Sequence, residues 1–268
     1  MRNIKLIIEY DGTEFFGWQT QKIRTKNSIR NTPYAIPATK ALAGRRNTRT
    51  IQETIESALR NILQEKVKLI GSGRTDSGVH ALGQVANFKT KSELSVSDIK
   101  RALNAVLPPD IAIKEAKEAA INFHSRFDAK SKIYRYTLLN SQTRKVAQRN
   151  LYFFYPYKLN LTAMRSATKF LKGKKDFKSF QSSDKKQRSS KRTIKSLFIK
   201  REEDFIHFEI EADGFLYKMV RAIVGTLLEV GSGKLKPQEI SGILSRKNRK
   251  FSGPTVSAKG LTLVKVIY

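Results

Sequence analysis

Ten residues, GSGRTDSGVH from Gly71 to His80, gather the side chains of this sequence best suited to chemistry. Three glycines let backbone approach a ligand closely. Ser72, Thr75 and Ser77 offer hydroxyl groups, and Asp76 stands two residues after Arg74. A lone carboxylate in such a loop can act as a nucleophile, as a general base or as a metal ligand. It can equally be a turn residue. A metal would require further ligands nearby, and the nearest other acid along the chain is Glu65. The helical pattern places Glu65 beyond an intervening strand. The loop lacks the Gly-Lys-Ser/Thr of a phosphate-binding P-loop. Arg74 suits a phosphate contact or a pair with the acid.

The rest of the chain narrows the chemistry. Among 268 residues there are 52 basic and 23 acidic side chains, a formal charge of +29. Such a charge repels itself unless a polyanion neutralises it. Nucleic acid is the first expectation and an anionic membrane surface the second. No cysteine is present, so disulfides, thiolate metal sites and cysteine nucleophiles are excluded. The three histidines, His80, His124 and His207, are too far apart in sequence for a helical metal pair, and each reads as a structural hydrogen-bonder. No apolar run approaches the ~20 residues that cross a bilayer. A strand begins almost at Met1, which leaves no room for a leader, so a cytoplasmic location is expected.

The elements that must position the loop follow from periodicity. Asn3 to Tyr10 reads as a strand closed by the Asp11-Gly12 turn. Thr50 and Glu53 have capping-box spacing ahead of a helix with Ile51, Ile55, Leu59 and Ile62 on one face. Short strands are predicted over 67–70 and 84–88, flanking the glycine loop. Ser97 is expected to cap a second helix with Ile99, Leu103 and Val106 inward, ended by Pro108-Pro109. A strand over 111–114 completes a first block. A second block starts near residue 120, with strands at 132–139, 193–200, 205–212 and 261–267. Its helices are predicted near 161–171, 217–230 and after Pro237. Lys22 to Arg49 carries eight basic residues and no acid, and reads as a long basic loop. Lys169 to Arg192, with ten basic residues against two acids, reads as a second polar basic segment. The pattern predicts an α+β fold of two similar halves, 1–121 and 122–268, with mostly antiparallel mixed sheets flanked by helices.

Taken together, these motifs resemble the TruA family of tRNA pseudouridine synthases. GRTDSGVHALGQVANF is similar to the family's catalytic signature, and YDGTEFFGWQTQ to its first motif. FHSRFDAKSKIYRY, DGFLYKMVRAIVGTLLEVGSGK and AKGLTLVKV follow in family order, and together the motifs span most of the chain. The resemblance implies the pseudouridine synthase fold, with an active-site cleft between the halves. It implies a homodimer that isomerises uridines 38, 39 and 40 of the tRNA anticodon stem-loop, without cofactor or metal. Asp76 then falls at the family's indispensable acid and Arg221 at the arginine that pairs with it. Tyr134 falls at the residue that stacks on the target base, Leu261 at an apolar residue packed against that base, and Arg74 at an arginine that holds the flipped nucleotide. Read without the family, Tyr134 and Leu261 are strand core residues and Arg221 is a solvated or phosphate-contacting charge. Two departures stand out. The basic segment between Gln21 and Thr50 is longer than is usual for bacterial relatives, and is expected to be an extra tRNA arm. Ser257 stands where the family commonly has Pro.

Overall fold

The computed structural model describes residues 1–19, 49–182 and 189–268. In β1 (Arg2–Tyr10), Ile4, Leu6, Ile8 and Tyr10 point to one face and are buried, the period of two that the sequence shows. α1 (Ile51–Leu63) starts where Thr50 accepts a hydrogen bond from the backbone N–H of Glu53, and buries Ile51, Ile55 and Leu59. The short β2 (Ile70–Gly71) and the long β3 (His80–Thr90) flank the glycine loop. α2 (Val96–Val106) and β4 (Ile111–Ala119) follow. This first half has the predicted order strand, helix, strand, strand, helix, strand.

Two details of α2 depart from expectation. Its cap is Ser95, whose Oγ accepts from Asp98 N at 3.1 Å, while Ser97 sits inside the first turn. Val106 is exposed, and Leu107 turns inward instead. Leu107 precedes a proline and is extended (ψ 147°), the conformation such a residue prefers, so the helix ends one side chain early.

The second half holds β5 (Ser131–Leu139), β6 (Phe153–Phe154), α3 (Leu161–Thr168), β7 (Gly173–Asp176), β8 (Lys191–Glu202), β9 (Phe205–Ala212), α4 (Met219–Gly231), α5 (Glu239–Arg246) and β10 (Leu261–Ile267). It carries more elements than the first half. The segment read as polar from Lys169 contains β7 and a short turn of helix at Lys178–Phe180, with Phe177 and Phe180 fully buried. Residues 183–188 of that segment lie outside the described residues, as does the predicted basic loop up to Arg49.

All ten strands form one sheet, in the order β4-β1-β3-β10-β5-β9-β8-β7, with β2 on β3 and β6 on β5. The pairs are antiparallel except β10 with β3 and β6 with β5. β10 therefore joins the halves: Thr262 and Leu263 pair with His80 and Ala81 on one side, and Leu261 to Ile267 pair with β5 on the other. The glycine loop enters β3 at that seam. α1 packs on α2 and α3 on α4. The fold is α+β with a mostly antiparallel mixed sheet.

Candidate active site

The loop from Gly71 to Val79 is held at every turn by side chains or backbone from elsewhere. Ser72 N donates to Val85 O at 2.7 Å, and the Ser72 hydroxyl donates to the side chain of Gln84 at 2.7 Å. Gln84 is fully buried and returns a bond from its Nε2 to Gly73 O at 3.2 Å. Lys132, on β5, donates from Nζ to Ser72 O at 2.6 Å. Thr75 O accepts from Trp18 N at 3.0 Å, and the Thr75 and Tyr10 hydroxyls are 2.8 Å apart. Gly17 takes φ +93°, and a side-chain carbon there would lie 2.6 Å from Thr75 O, so only glycine allows this approach.

His80 closes the loop. Its Nδ1 lies 3.2 Å from Gly12 N and 3.0 Å from a carboxylate oxygen of Asp11, and its Nε2 meets Asn150 O and Lys259 O at 3.0 and 3.1 Å. It is a structural junction, as are His124, which accepts backbone bonds in its own turn, and His207, 3.2 Å from the Thr137 hydroxyl.

Asp76 sits at the tip, about three-quarters buried by its side-chain exposure of 26%. Burial pushes its pKa above the ordinary carboxylate value, and the nearby charges of Arg221 and Lys218 pull it back down. Arg221 Nη1 is 3.5 Å from Asp76 Oδ2. The guanidinium is itself fixed, because its Nε donates to Val256 O at 2.7 Å. Arg221 lies in the first turn of α4, and Lys218, immediately before that helix, adopts the left-handed conformation at φ +59°. A non-glycine residue in that region costs roughly 1 kcal/mol or more.

Tyr134 is 9% exposed, with its ring edge-on to Phe215 at 5.0 Å. Burial raises its pKa, and the neighbouring Tyr10 and the charge of Asp76 raise it further. Tyr136, two residues on, is fully buried and donates to Ser257 O at 2.9 Å. Ser257 has φ −54° and ψ 148°, angles that proline also adopts, so serine preserves the turn expected there. That turn delivers Leu261, buried, to the start of β10, and places Ala258 Cβ 3.5 Å from the Cβ position of Gly78. Arg74 is exposed at the loop, and among the described residues it forms no hydrogen bond or ion pair.

The structure pairs Asp76 with Arg221 and sets Tyr134 near enough to feel the Asp76 charge, while Leu261 begins β10 after the Ser257 turn and Arg74 stands exposed in the loop. Sequence reasoning passed over Lys132, Gln84, Tyr10 and Lys218. The signal for Lys132 was present: Lys132, Tyr134 and Tyr136 share one face of β5, so a lysine stands in a row of inward residues. Burial, with a smaller contribution from Arg126, pulls the Lys132 pKa down to about 8. The ammonium is therefore disfavoured in the folded protein. The unfolded chain binds the extra proton between pH about 8 and 10.5, so folded stability owed to this residue rises with pH across that window. The stability of wild type minus that of Lys132→Met, from urea unfolding, is expected to grow from pH 8 towards 10. A flat difference would show that Lys132 is solvated.

Among the described residues, no cluster of three or more His, Cys, Asp or Glu side chains is placed to hold a metal. No helix among them is long and apolar enough to cross a membrane.

Residues 39–128 and 167–268 match the family described as tRNA pseudouridine synthase. The chain is 45% identical to "tRNA pseudouridine synthase A" of Acetivibrio thermocellus and 44% identical to that of Caldicellulosiruptor bescii, each over the full length of both proteins. The protein of the same name from Clostridium acetobutylicum is 43% identical, again over both full lengths. A solved H/ACA ribonucleoprotein with a substrate RNA containing 2′-deoxyuridine shares 13% identity over 69% of this chain and 47% of its own, at a TM-score of 0.33. By the family match and by full-length identity to these relatives, the chain belongs to the TruA family of tRNA pseudouridine synthases.

Proposed function

We propose that this chain, a tRNA pseudouridine synthase, converts uridine to pseudouridine at positions 38, 39 and 40 of the anticodon stem-loop, with Asp76 as its acid. The observation that carries the proposal is the single carboxylate held 3.5 Å from Arg221 beside the buried ring of Tyr134. In the reaction the bond from C1′ to N1 of the uridine breaks and a bond from C1′ to C5 forms. The C5 hydrogen leaves as a proton and N1 gains one, so no oxidant or cofactor is needed. Asp76 serves this either by adding covalently to base or sugar or by taking a proton from C2′, and both routes require the ionised carboxylate. Arg221 favours that ionised form and fixes its direction.

Tyr134 is assigned to stack on the target base, Leu261 to pack against it, and Arg74 to hold the flipped nucleotide and its neighbours. A uridine in a stem is stacked, so extruding it costs a few kcal/mol, which an aromatic contact and a basic side chain offset. Acceptance of several neighbouring uridines fits recognition through phosphate and shape. The reading places the cleft between the halves 1–121 and 122–268. It also makes the enzyme a cytoplasmic homodimer in which one tRNA touches both subunits.

Tritium release from tRNA transcripts labelled at uridine C5 tests the activity, because every route must eject that hydrogen. Mapping of pseudouridine in the treated transcripts tests the positions. Release without modification at 38 to 40 would assign the enzyme to other uridines.

A further inference from the structure

The segment joining β4 to β5 displays a phenylalanine in water from a rigid support. Phe127 is 75% exposed, the most exposed aromatic side chain among the described residues. A ring held in water on an ordered loop offers its faces to a ligand without rearrangement, and covering it is worth about 1.5–3 kcal/mol.

The loop beneath it is tied down from all sides. Asn3, itself buried, donates through Nδ2 to Ala120 O at 2.9 Å and to Phe123 O at 3.0 Å. Ser125, fully buried, receives three ties. Its N–H donates to Asn87 Oδ1 at 3.0 Å, its hydroxyl donates to Ile70 O at 2.5 Å, and its carbonyl accepts from the Tyr268 hydroxyl at 2.7 Å. Phe127 N and Asp128 N both donate to His124 O at 3.1 Å, and His124 N donates to a carboxylate oxygen of Asp128 at 2.9 Å.

The ring has polar companions suited to a nucleobase. His124 lies 4.2 Å away, centroid to centroid, tilted by 33°. Its Nδ1 accepts from Arg126 N and Phe127 N at 3.2 and 3.3 Å, which leaves the ring proton on Nε2. The Arg126 guanidinium lies 5.7 Å from the Phe127 centroid. The position is also specific. Ser125 is bonded to Ile70, the residue that leads into the Asp76 loop, and the charge of Arg126 is felt by Lys132, which holds Ser72.

We propose that Phe127, with His124 and Arg126, is a stacking platform for an unpaired base of the tRNA substrate, outside the pocket of the target uridine. The proposal rests on tRNA being the substrate. Splayed nucleotides are held on Phe, His and Arg planes because every base has a π face, and an arginine beside the ring meets the adjoining phosphate. The +29 charge of the chain favours a polyanion over a second cationic protein as the occupant.

The test is the dissociation constant of a tRNA transcript over a series of salt concentrations, together with tritium release at saturating transcript. Phe127→Ala is expected to weaken binding roughly 5- to 100-fold, with the salt slope and the saturated rate unchanged. Phe127→Trp is expected to bind as wild type does. Arg126→Ala is expected to reduce the salt slope by about one. Melting curves check that each variant is folded. Wild-type affinity in Phe127→Ala would overturn the platform. So would a fall in sedimenting mass for that variant, which would make the ring a contact between copies of the chain. If wild type binds tRNA but releases no tritium, the proposed activity fails, while the affinity series still decides the platform.

Discussion

Asp76→Asn protein is expected to release no measurable tritium from C5-labelled transcripts, a loss of roughly 10⁴-fold or more, while binding them as wild type does. The substitution keeps the shape, removes the charge and replaces one acceptor oxygen with an NH2 donor. The loop should survive it, because its anchors are elsewhere: Ser72, Gly73 and Thr75 hold their bonds through Val85, Gln84, Lys132, Trp18 and Tyr10. Among the described residues the Asp76 side chain makes one ion pair, to Arg221. A melting temperature within a few degrees of wild type would confirm that the loss is chemical. Residual activity near wild type would mean that another group reacts.

Arg221→Gln is expected to move the acid limb of the pH-rate profile to higher pH and to lower turnover by about 10²-fold at neutral pH. The sign follows from the environment of Asp76. Burial already raises its pKa, and Arg221 is the largest influence opposing that rise, ahead of Lys218. Without the guanidinium the carboxylate binds its proton more tightly, so a smaller fraction is ionised at any given pH. The deficit should shrink as pH rises through the displaced limb. A constant deficit at all pH values would assign Arg221 to orientation alone. Its bond from Nε to Val256 O makes some loss of orientation certain, so the shift of the limb is the diagnostic part.

The features legible in the sequence are those written in neighbouring residues. Alternation located β5, apolar content and the Asp11-Gly12 turn located β1, and the Thr50 cap located α1, because each is written within a few neighbouring residues. The Asp76 loop was legible for the same reason. Its partners were reached through family resemblance, since Arg221 and Tyr134 are distant along the chain and nothing local marks them. Pairing across the sheet left no local trace, so two separate sheets were as compatible with the pattern as the single sheet that places β10 between β3 and β5. Lys132 was obscured by its type: a lysine on a strand is read as solvated, yet this one turns its amine to a backbone carbonyl under the loop. Lys218 was obscured because lysine carries no local signal for the left-handed conformation it adopts.

The place of β10 has a consequence for the timing of assembly. Among the described strands it comes last in chain order, yet it sits at the middle of the sheet, with its neighbours β3 and β5 far earlier in the sequence. A nascent chain can fold its two halves as they emerge, each with an open sheet edge at the future seam. Those edges stay exposed until the strand that fills the gap arrives, and the turn that brings Leu261 beside the Asp76 loop arrives with it. Ordering of that turn beside the Asp76 loop therefore depends on the docking of one seven-residue strand.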